Sequence, residues 1–253
     1  MITILNMSAG YNGSTVVQTE HLILSRGKII VLVGQNGCGK STLLRAIAGL
    51  LPHRGSIFCN SVEISRLSSR ERAGLISFLP QHLTIPEMSV ETLVNHGRFC
   101  RMGFSRTLTD HDRKIVTNAM AAAEVDHLRD KQISSLSGGE RQRAYLAMTI
   151  AQESPMMLFD EPDTYMDITH KKALLTSLQN LKHQGRGIVL SCHDLPFAFL
   201  AADRVLVMHN GRIVADGSPD EVSSMEDVLY RAMGAGMKKT GERGFLYPYM
   251  ISL

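Results

Sequence analysis

The sequence predicts an α/β fold: a strand–helix core with a β-rich N-terminal segment and an inserted helical block. Three observations predict it. An apolar, β-branched strand runs into Gly34-Gln35-Asn36-Gly37-Cys38-Gly39-Lys40-Ser41-Thr42 and then into a helical pattern, the context a phosphate-binding P-loop requires. Two later runs, residues 156–159 and 188–190, are apolar without polar alternation, as in strands buried on both faces of a parallel sheet. Between them and the P-loop, residues 87–152 change to helical periodicity.

Taken in order, residues 2–7, 16–24 and 28–33 are short β-branched runs broken by Gly10, Asn12-Gly13 and Arg26-Gly27. A helix follows over residues 41–50 and stops before Pro52. Residues 57–60 and 75–79 are further strands. Helices are expected over 87–97, 110–124 and 140–152. In the second, Ile115, Val116, Ala119, Met120 and Ala123 share one face, and Thr109 with Asp112 supplies its cap. Strand patterning returns at 156–160, 187–192 and 204–209, separated by an amphipathic stretch over 168–183. Lys238-Lys239 reads as a solvated loop, and residues 244–253 as a peripheral strand or hairpin.

Bulk properties narrow the class. The chain has 253 residues, enough for a sizeable core. A formal net charge of +3 is too small to argue for nucleic acid. No apolar run approaches the roughly 18 residues that span a bilayer, and no secretory leader is expected from the strand-like start Ile2-Thr3-Ile4-Leu5. Cys38, Cys59, Cys100 and Cys192 have neither metal-ligand nor disulfide spacing and read as reduced thiols.

The chemistry is concentrated in three motifs. In the P-loop the glycines let backbone N–H groups approach phosphates, Lys40 reaches the terminal phosphates, and Ser41 offers a hydroxyl to Mg²⁺. Cys38 is a small residue of that loop, and its place at a helix N-terminus predicts an alkylatable thiol. Next, Met156-Met157-Leu158-Phe159 delivers Asp160 and Glu161 to the end of a buried strand. Asp160 is placed to hold Mg²⁺ and Glu161 to act as general base on a water. Adjacent carboxylates also occur as solvated turn residues; the P-loop decides for chemistry. Finally, Leu136-Ser137-Gly138-Gly139-Glu140 opens a helix with a hydroxyl and free N–H groups, a second anion site.

Together these motifs resemble the ATP-binding subunits of ABC transporters, over about residues 1–225. The resemblance implies a P-loop NTPase core with an N-terminal antiparallel β subdomain and an inserted helical subdomain. Approximate bounds are 1–81 and 153–225 for the core, 82–152 for the helices and 226–253 for a C-terminal extension. It further implies that Gln81 contacts Mg²⁺ and the attacking water, that His193 contacts the γ-phosphate, and that Tyr11 stacks on adenine. Asp167 falls at the aspartate that communicates across a dimer. Ser137, Gly138 and Gly139 would complete the ATP site of a second chain, head to tail.

The family pattern has Thr, Ser, Ala and Leu where this chain has Asp163, Thr164, Tyr165 and Met166. Asp163 is expected to add negative charge near Glu161 and Mg²⁺. Residues 88–99, with Leu136-Ser137-Gly138-Gly139-Glu140-Arg141-Gln142-Arg143 and Asp167-Ile168-Thr169-His170, are most similar to the ATPases that import ferric siderophores, haem and cobalamin. That implies ATP and Mg²⁺ as cofactors, a separate integral-membrane permease, a substrate-binding protein acting indirectly, and a peripheral location on the cytoplasmic face of the cell membrane. Ferric siderophore is the first-named cargo. Haem or cobalamin, another ABC transporter, and a soluble non-transport ABC ATPase are the alternatives. Arg98, Arg101 and Arg106, among Phe99, Met102 and Phe104, are expected to lie near the permease.

Overall fold

In the computed structural model, residues 1–102, 107–164, 166–236, 238–240 and 244–246 are described. The chain opens with an antiparallel hairpin of β1 (Ile2–Tyr11) and β2 (Ser14–Leu24), turning at Asn12-Gly13. Next, β3 (Ile29–Val33) feeds the glycine loop and α1 (Lys40–Ile47). Strands β4 (His53–Cys59) and β5 (Val62–Glu63) then complete a four-stranded antiparallel sheet ordered β2-β1-β4-β5. Helix α2 (Ser69–Leu75) precedes β6 (Ile76–Leu79). The inserted block is α3 (Val90–His96), α4 (Asp110–Ala122) and α5 (Gly138–Ala151). After it come β7 (Met156–Asp160), α6 (Ile168–His183), β8 (Gly187–Ser191), α7 (Leu195–Ala201), β9 (Arg204–His209) and β10 (Arg212–Gly217). Two short helices, α8 (Pro219–Ser223) and α9 (Glu226–Met233), and a hairpin of β11 (Lys238–Thr240) with β12 (Gly244–Leu246) end the described chain.

The central sheet has the order β10-β9-β3-β8-β7-β6. Its neighbours pair in parallel from β9 through β6, and β10 is antiparallel at the edge. Residue alternation along β3 divides the core in two. Ile29, Val31 and Val33 pack with the residues of α3 to α7, while Ile30 and Leu32 pack with α1 and the antiparallel sheet. Both faces are therefore buried, which is why these strands show no polar alternation. Register then brings the strand ends level: Asp160 pairs with Ser191, Ser191 with Leu32, and Leu79 with Phe159. The loops after β3, β6, β7 and β8 consequently emerge along one edge, where open α/β sheets bind ligands.

Most predicted elements form, with extensions. β1 runs to Tyr11 rather than stopping at Met7, because an irregularity between Leu5 and Ser8 lets pairing with β4 resume. Asn6 takes up that bend with φ 46°. Helix α2 has no buried residue, so it leaves no apolar period; its signal is the capping box of Ser68 with Glu71. Lys238 and Lys239 lie in β11, paired with Leu246 and Phe245, rather than in a loop. The capping box of Thr109 with Asp112 is present, and Val116, Ala119, Met120 and Ala123 are buried as expected.

Arg98 overturns an expectation. Its side chain is only 4% exposed, donating from Nε to Asp112 Oδ1 and from Nη1 to Glu153 Oε2, both at 2.9 Å. Nη1 also reaches the Ala151 carbonyl at 2.7 Å. It is an internal tie between α4 and the end of α5, not a docking residue. Gly97 beside it has no Cβ because one would meet the Met148 carbonyl oxygen at 2.3 Å, so the end of α3 packs directly on α5. Arg101 donates to the Gly74 and Glu153 carbonyls at 3.0 and 3.2 Å. Phe104 and Arg106 lie outside the described residues. Hydrogen bonds from Thr109, with the Arg98 guanidinium adding to them, hold the Asp112 carboxyl down at about 2. A depressed carboxylate stabilises the fold above its unfolded value, and this contribution is lost as pH falls towards 2.

Arg98→Met strands a buried carboxylate and is expected to cost on the order of 3 kcal/mol, lowering Tm by roughly 10 °C. Thermal unfolding followed by circular dichroism at pH 7 measures this. A change under about 2 °C would place Arg98 outside the load of the fold.

Candidate functional site

The P-loop is shaped by close approach. A Cβ on Gly34 would meet the Met208 carbonyl oxygen at 2.4 Å and Cys38 Sγ at 2.6 Å. Gly39, the N-cap of α1, takes φ 108° and has no side chain to block the first-turn N–H groups. Lys40 is buried, and its Nζ donates to the carbonyls of Gly34 at 2.7 Å and Gln35 at 3.2 Å. A buried ammonium held by neutral carbonyls is a net positive site with one donor left over. Gln35, Asn36 and Gly37 are exposed around it. Cys38 is buried, its thiol side chain inside the core shared by α1 and the antiparallel sheet. That corrects the expectation of an alkylatable thiol.

The neighbouring strand ends supply the carboxylates. Asp160 is fully buried; its Oδ1 accepts from Ser41 Oγ at 3.0 Å and Ser191 Oγ at 2.7 Å. Its Oδ2 is buried and has no hydrogen-bond partner among the described residues. An anionic oxygen left open beside a hydroxyl is the donor set a hard divalent cation takes, so Ser41 and Asp160 fit Mg²⁺. Glu161 adopts φ 52°, a left-handed conformation that costs a side-chain-bearing residue about 1–3 kcal/mol and gathers at functional sites. The turn it makes aims the carboxylate across the strand ends. Gln81 Nε2 donates to its Oε2 at 2.6 Å, and His193 Nε2 contacts its Oε1. The predicted residues Gln81, Asp160, Glu161 and His193 are thus brought together, joined to Lys40 and Ser41 by the P-loop.

Ser191 was not read from the sequence, yet it bridges both carboxylate residues. Its hydroxyl donates to Asp160 and accepts from the Glu161 N–H at 2.9 Å. The available signal was a buried hydroxyl ending an otherwise apolar strand, Gly187-Ile188-Val189-Leu190-Ser191. Asp163 differs from expectation. Its carboxylate turns to Cys192 and Lys171, the latter 3.9 Å away, and burial pushes its carboxyl up. Tyr165 lies outside the described residues.

Tyr11 is exposed at the hairpin tip, and its hydroxyl accepts from Arg45 of α1 at 3.4 Å. Ser137 caps α5: its Oγ accepts from the Glu140 N–H at 3.3 Å, and its own N–H donates to Glu140 Oε2 at 2.8 Å. Backbone and hydroxyl hydrogen bonds from Ser137 hold the Glu140 carboxyl below its ordinary value. Ser137 and Gly138 are exposed, and Gly139 is partly so. Among the described residues no hydrogen bond or ion pair joins them to the P-loop. Asp167 is exposed and caps α6, accepting from the His170 N–H at 2.8 Å.

Similarity to known proteins agrees with this geometry. The protein-family model for ABC transporter matches residues 17–164. The ferric enterobactin transport ATP-binding protein of Escherichia coli (strain K12) is 37% identical over 87% of this chain and 82% of its own length. The hemin import ATP-binding protein of Nocardia farcinica (strain IFM 10152) is 38% identical over 82% of this chain and 72% of its own. In fold, the chain is similar to a dimeric ATP-binding cassette bound to ADP and phosphate, with a TM-score of 0.78 and 21% identity over 87% and 99% of the two chains.

Thiol labelling of the native protein should modify Cys100, the one cysteine that is not buried, before Cys38, Cys59 and Cys192. Mass spectrometry of a timed alkylation reads the order. Cys38 labelling as fast as Cys100 would mean an open P-loop.

Proposed function

The chain belongs to the ABC transporter family as an ATP-binding subunit, and from that premise we propose that it hydrolyses ATP to power import of a metal chelate through a separate membrane permease. Ferric siderophore is the favoured cargo class, on the likeness to a ferric enterobactin relative; the hemin relative keeps haem as the second. The observation that carries the hydrolytic reading is the meeting of Glu161 with Gln81 and His193 beside the Lys40 loop.

In this reading the first-turn N–H groups of α1 and the loop at Asn36, Gly37, Cys38 and Gly39 cradle the phosphates, and Thr42 adds to the same turn. Lys40 exchanges its carbonyl partners for phosphate oxygens. Tyr11 stacks under adenine. Ser41, Asp160 and Gln81 would hold Mg²⁺, which when bound would supply positive charge against the charge building on the phosphates. Glu161 accepts the proton of the attacking water as its oxygen bonds to the γ-phosphorus and the bond to the β,γ-bridging oxygen breaks. Gln81 and His193 each hold one carboxylate oxygen, and each oxygen keeps a second lone pair for the water.

Two copies are proposed to pair head to tail, so that the Ser137 hydroxyl and the Gly138 and Gly139 N–H groups meet the ATP on the partner's P-loop. Asp167 lies at the same seam. Closure is then conditional on ATP and reversed by hydrolysis, which gives the permease a two-state drive. Among the described residues no helix is long and apolar enough to cross a membrane. The proposed location is peripheral, on the cytoplasmic face, with a substrate-binding protein acting through the permease.

Glu161→Gln should retain ATP binding, lose roughly 10²–10⁴-fold in turnover and accumulate an ATP-bound dimer. Phosphate release and size-exclusion chromatography with ATP measure both, and wild-type turnover would remove Glu161 from the base role. Ser137→Arg should abolish ATP-driven dimerisation while monomer ATP affinity stays within about twofold. Lost monomer affinity would assign the Ser137 site to its own chain.

A further inference from the structure

Next in sequence to Glu161 and His193, four side chains from three segments meet. Asp163, in the turn after β7, is buried, and its Oδ2 accepts from the Cys192 thiol at 3.4 Å. The same oxygen lies 3.9 Å from Lys171 Nζ in the first turn of α6. Lys171 also closes a 2.6 Å ion pair on Asp194 Oδ2. Asp194 caps α7 through Oδ1, accepting from the Phe197 N–H at 3.0 Å. One ammonium is thus shared between the loop carrying Glu161 and the loop carrying His193.

Each loop is internally stiff. Thr164 N–H donates to the Glu161 carbonyl at 3.3 Å, and Met166 N–H to the Asp163 carbonyl at 3.2 Å. The other loop is held by Asp194 at the start of α7 and by the contact of Cys192 Sγ with the Asp194 carbonyl at 3.3 Å. The side chains of Asp163, Lys171 and Asp194 are mostly shielded from solvent, so salt screens the attraction less than at a surface. A reaction that needs a proton acceptor and a phosphate contact at fixed separation is sensitive to this spacing; a misplacement of about 1 Å costs on the order of 10²-fold.

We propose that Lys171 and Asp163 are positioning residues for hydrolysis: Lys171, shared by Asp163 and Asp194, fixes the spacing of the Glu161 turn and the His193 loop and makes both follow the N-terminal turn of α6. Asp167 caps that turn, and Ile168 beside it is 87% exposed. A second copy of the chain pressing on this turn would therefore move Glu161 and His193 together. The inference rests on the hydrolytic reading above.

The test compares Lys171→Met, which keeps the aliphatic stem, with Lys171→Arg, which keeps the charge, in the full chain. Lys171→Met should lower ATPase kcat about 10–100-fold with KM for ATP within about twofold, and Lys171→Arg should restore most of the rate. Amide hydrogen exchange should rise together in residues 161–171 and 192–197 of Lys171→Met. Unchanged kcat, no rescue by Arg, or faster exchange in only one of the two segments would overturn the proposal. A wild-type protein that hydrolyses no ATP would overturn the functional reading instead, and the exchange data would still decide whether the two loops are tied.

Discussion

The buried carboxylate of Asp160 is the constraint on which the ligand-facing edge of the sheet depends. It sits at the end of a strand buried on both faces, where an unbalanced charge costs several kcal/mol. Ser41 and Ser191 satisfy one oxygen and leave the other open. Each donor comes from a different part of the fold: Ser41 from the first turn of α1, Ser191 from the last residue of β8. Satisfying Asp160 therefore sets the position of the P-loop helix relative to two strands. The Ser191 hydroxyl passes the constraint on, because it also takes the Glu161 N–H. The left-handed backbone of Glu161 is held from both sides, which is what a strained conformation needs to persist.

Parallel register explains why short loops are enough. Leu79, Phe159, Leu190 and neighbouring residues pair level across the sheet, so Gln81, Glu161 and His193 follow the ends of their strands by only one or two residues. Long loops would have to fix these side chains at a greater entropic cost. The same edge offers a buried positive group, Lys40, next to a buried negative one with an open oxygen. Lys40 is held by the carbonyls of its own loop, and Asp160 keeps one oxygen without a hydrogen-bond partner among the described residues.

Much of this was legible in the sequence because it is local. A glycine loop between a strand and a helix, two carboxylates after an apolar run, and a Ser-Gly-Gly turn with Glu140 all declare their geometry within a few residues. What was missed depends on tertiary contact. Arg98 has the sequence context of an amphipathic surface, and only the approach of Asp112 and Glu153, from α4 and from beyond α5, makes it internal. Asp163 reads as a charge next to Glu161, but the direction of its side chain is set by Lys171, eight residues on, and Cys192 from another strand end. Helix α7, Leu195-Pro196-Phe197-Ala198-Phe199-Leu200-Ala201, is short and mostly buried, so it has no amphipathic period to find; its Asp194 cap and Pro196 were the available marks.

The inserted helices are joined to the core by hydrogen bonds that converge on one short segment. Arg98, Arg101 and Arg186 all donate to Glu153, while Gln152 and Ser154 donate to the Ala73 carbonyl next to β6. Residues 152–154 lie between α5, which Ser137 caps at its start, and β7, which ends at Asp160. The exposed Ser137 cap and the buried Asp160 carboxylate thus stand at opposite ends of one continuous helix–joint–strand element. A helix and a buried strand transmit displacement well because neither compresses. The joint between them is fixed by these polar hydrogen bonds, which hold the end of α5 and the start of β7 to the core. The Ser137 end of α5 and the Asp160 end of β7 are thus joined through one bonded segment, and the Ser191 hydroxyl ties the Glu161 turn to the same strand end.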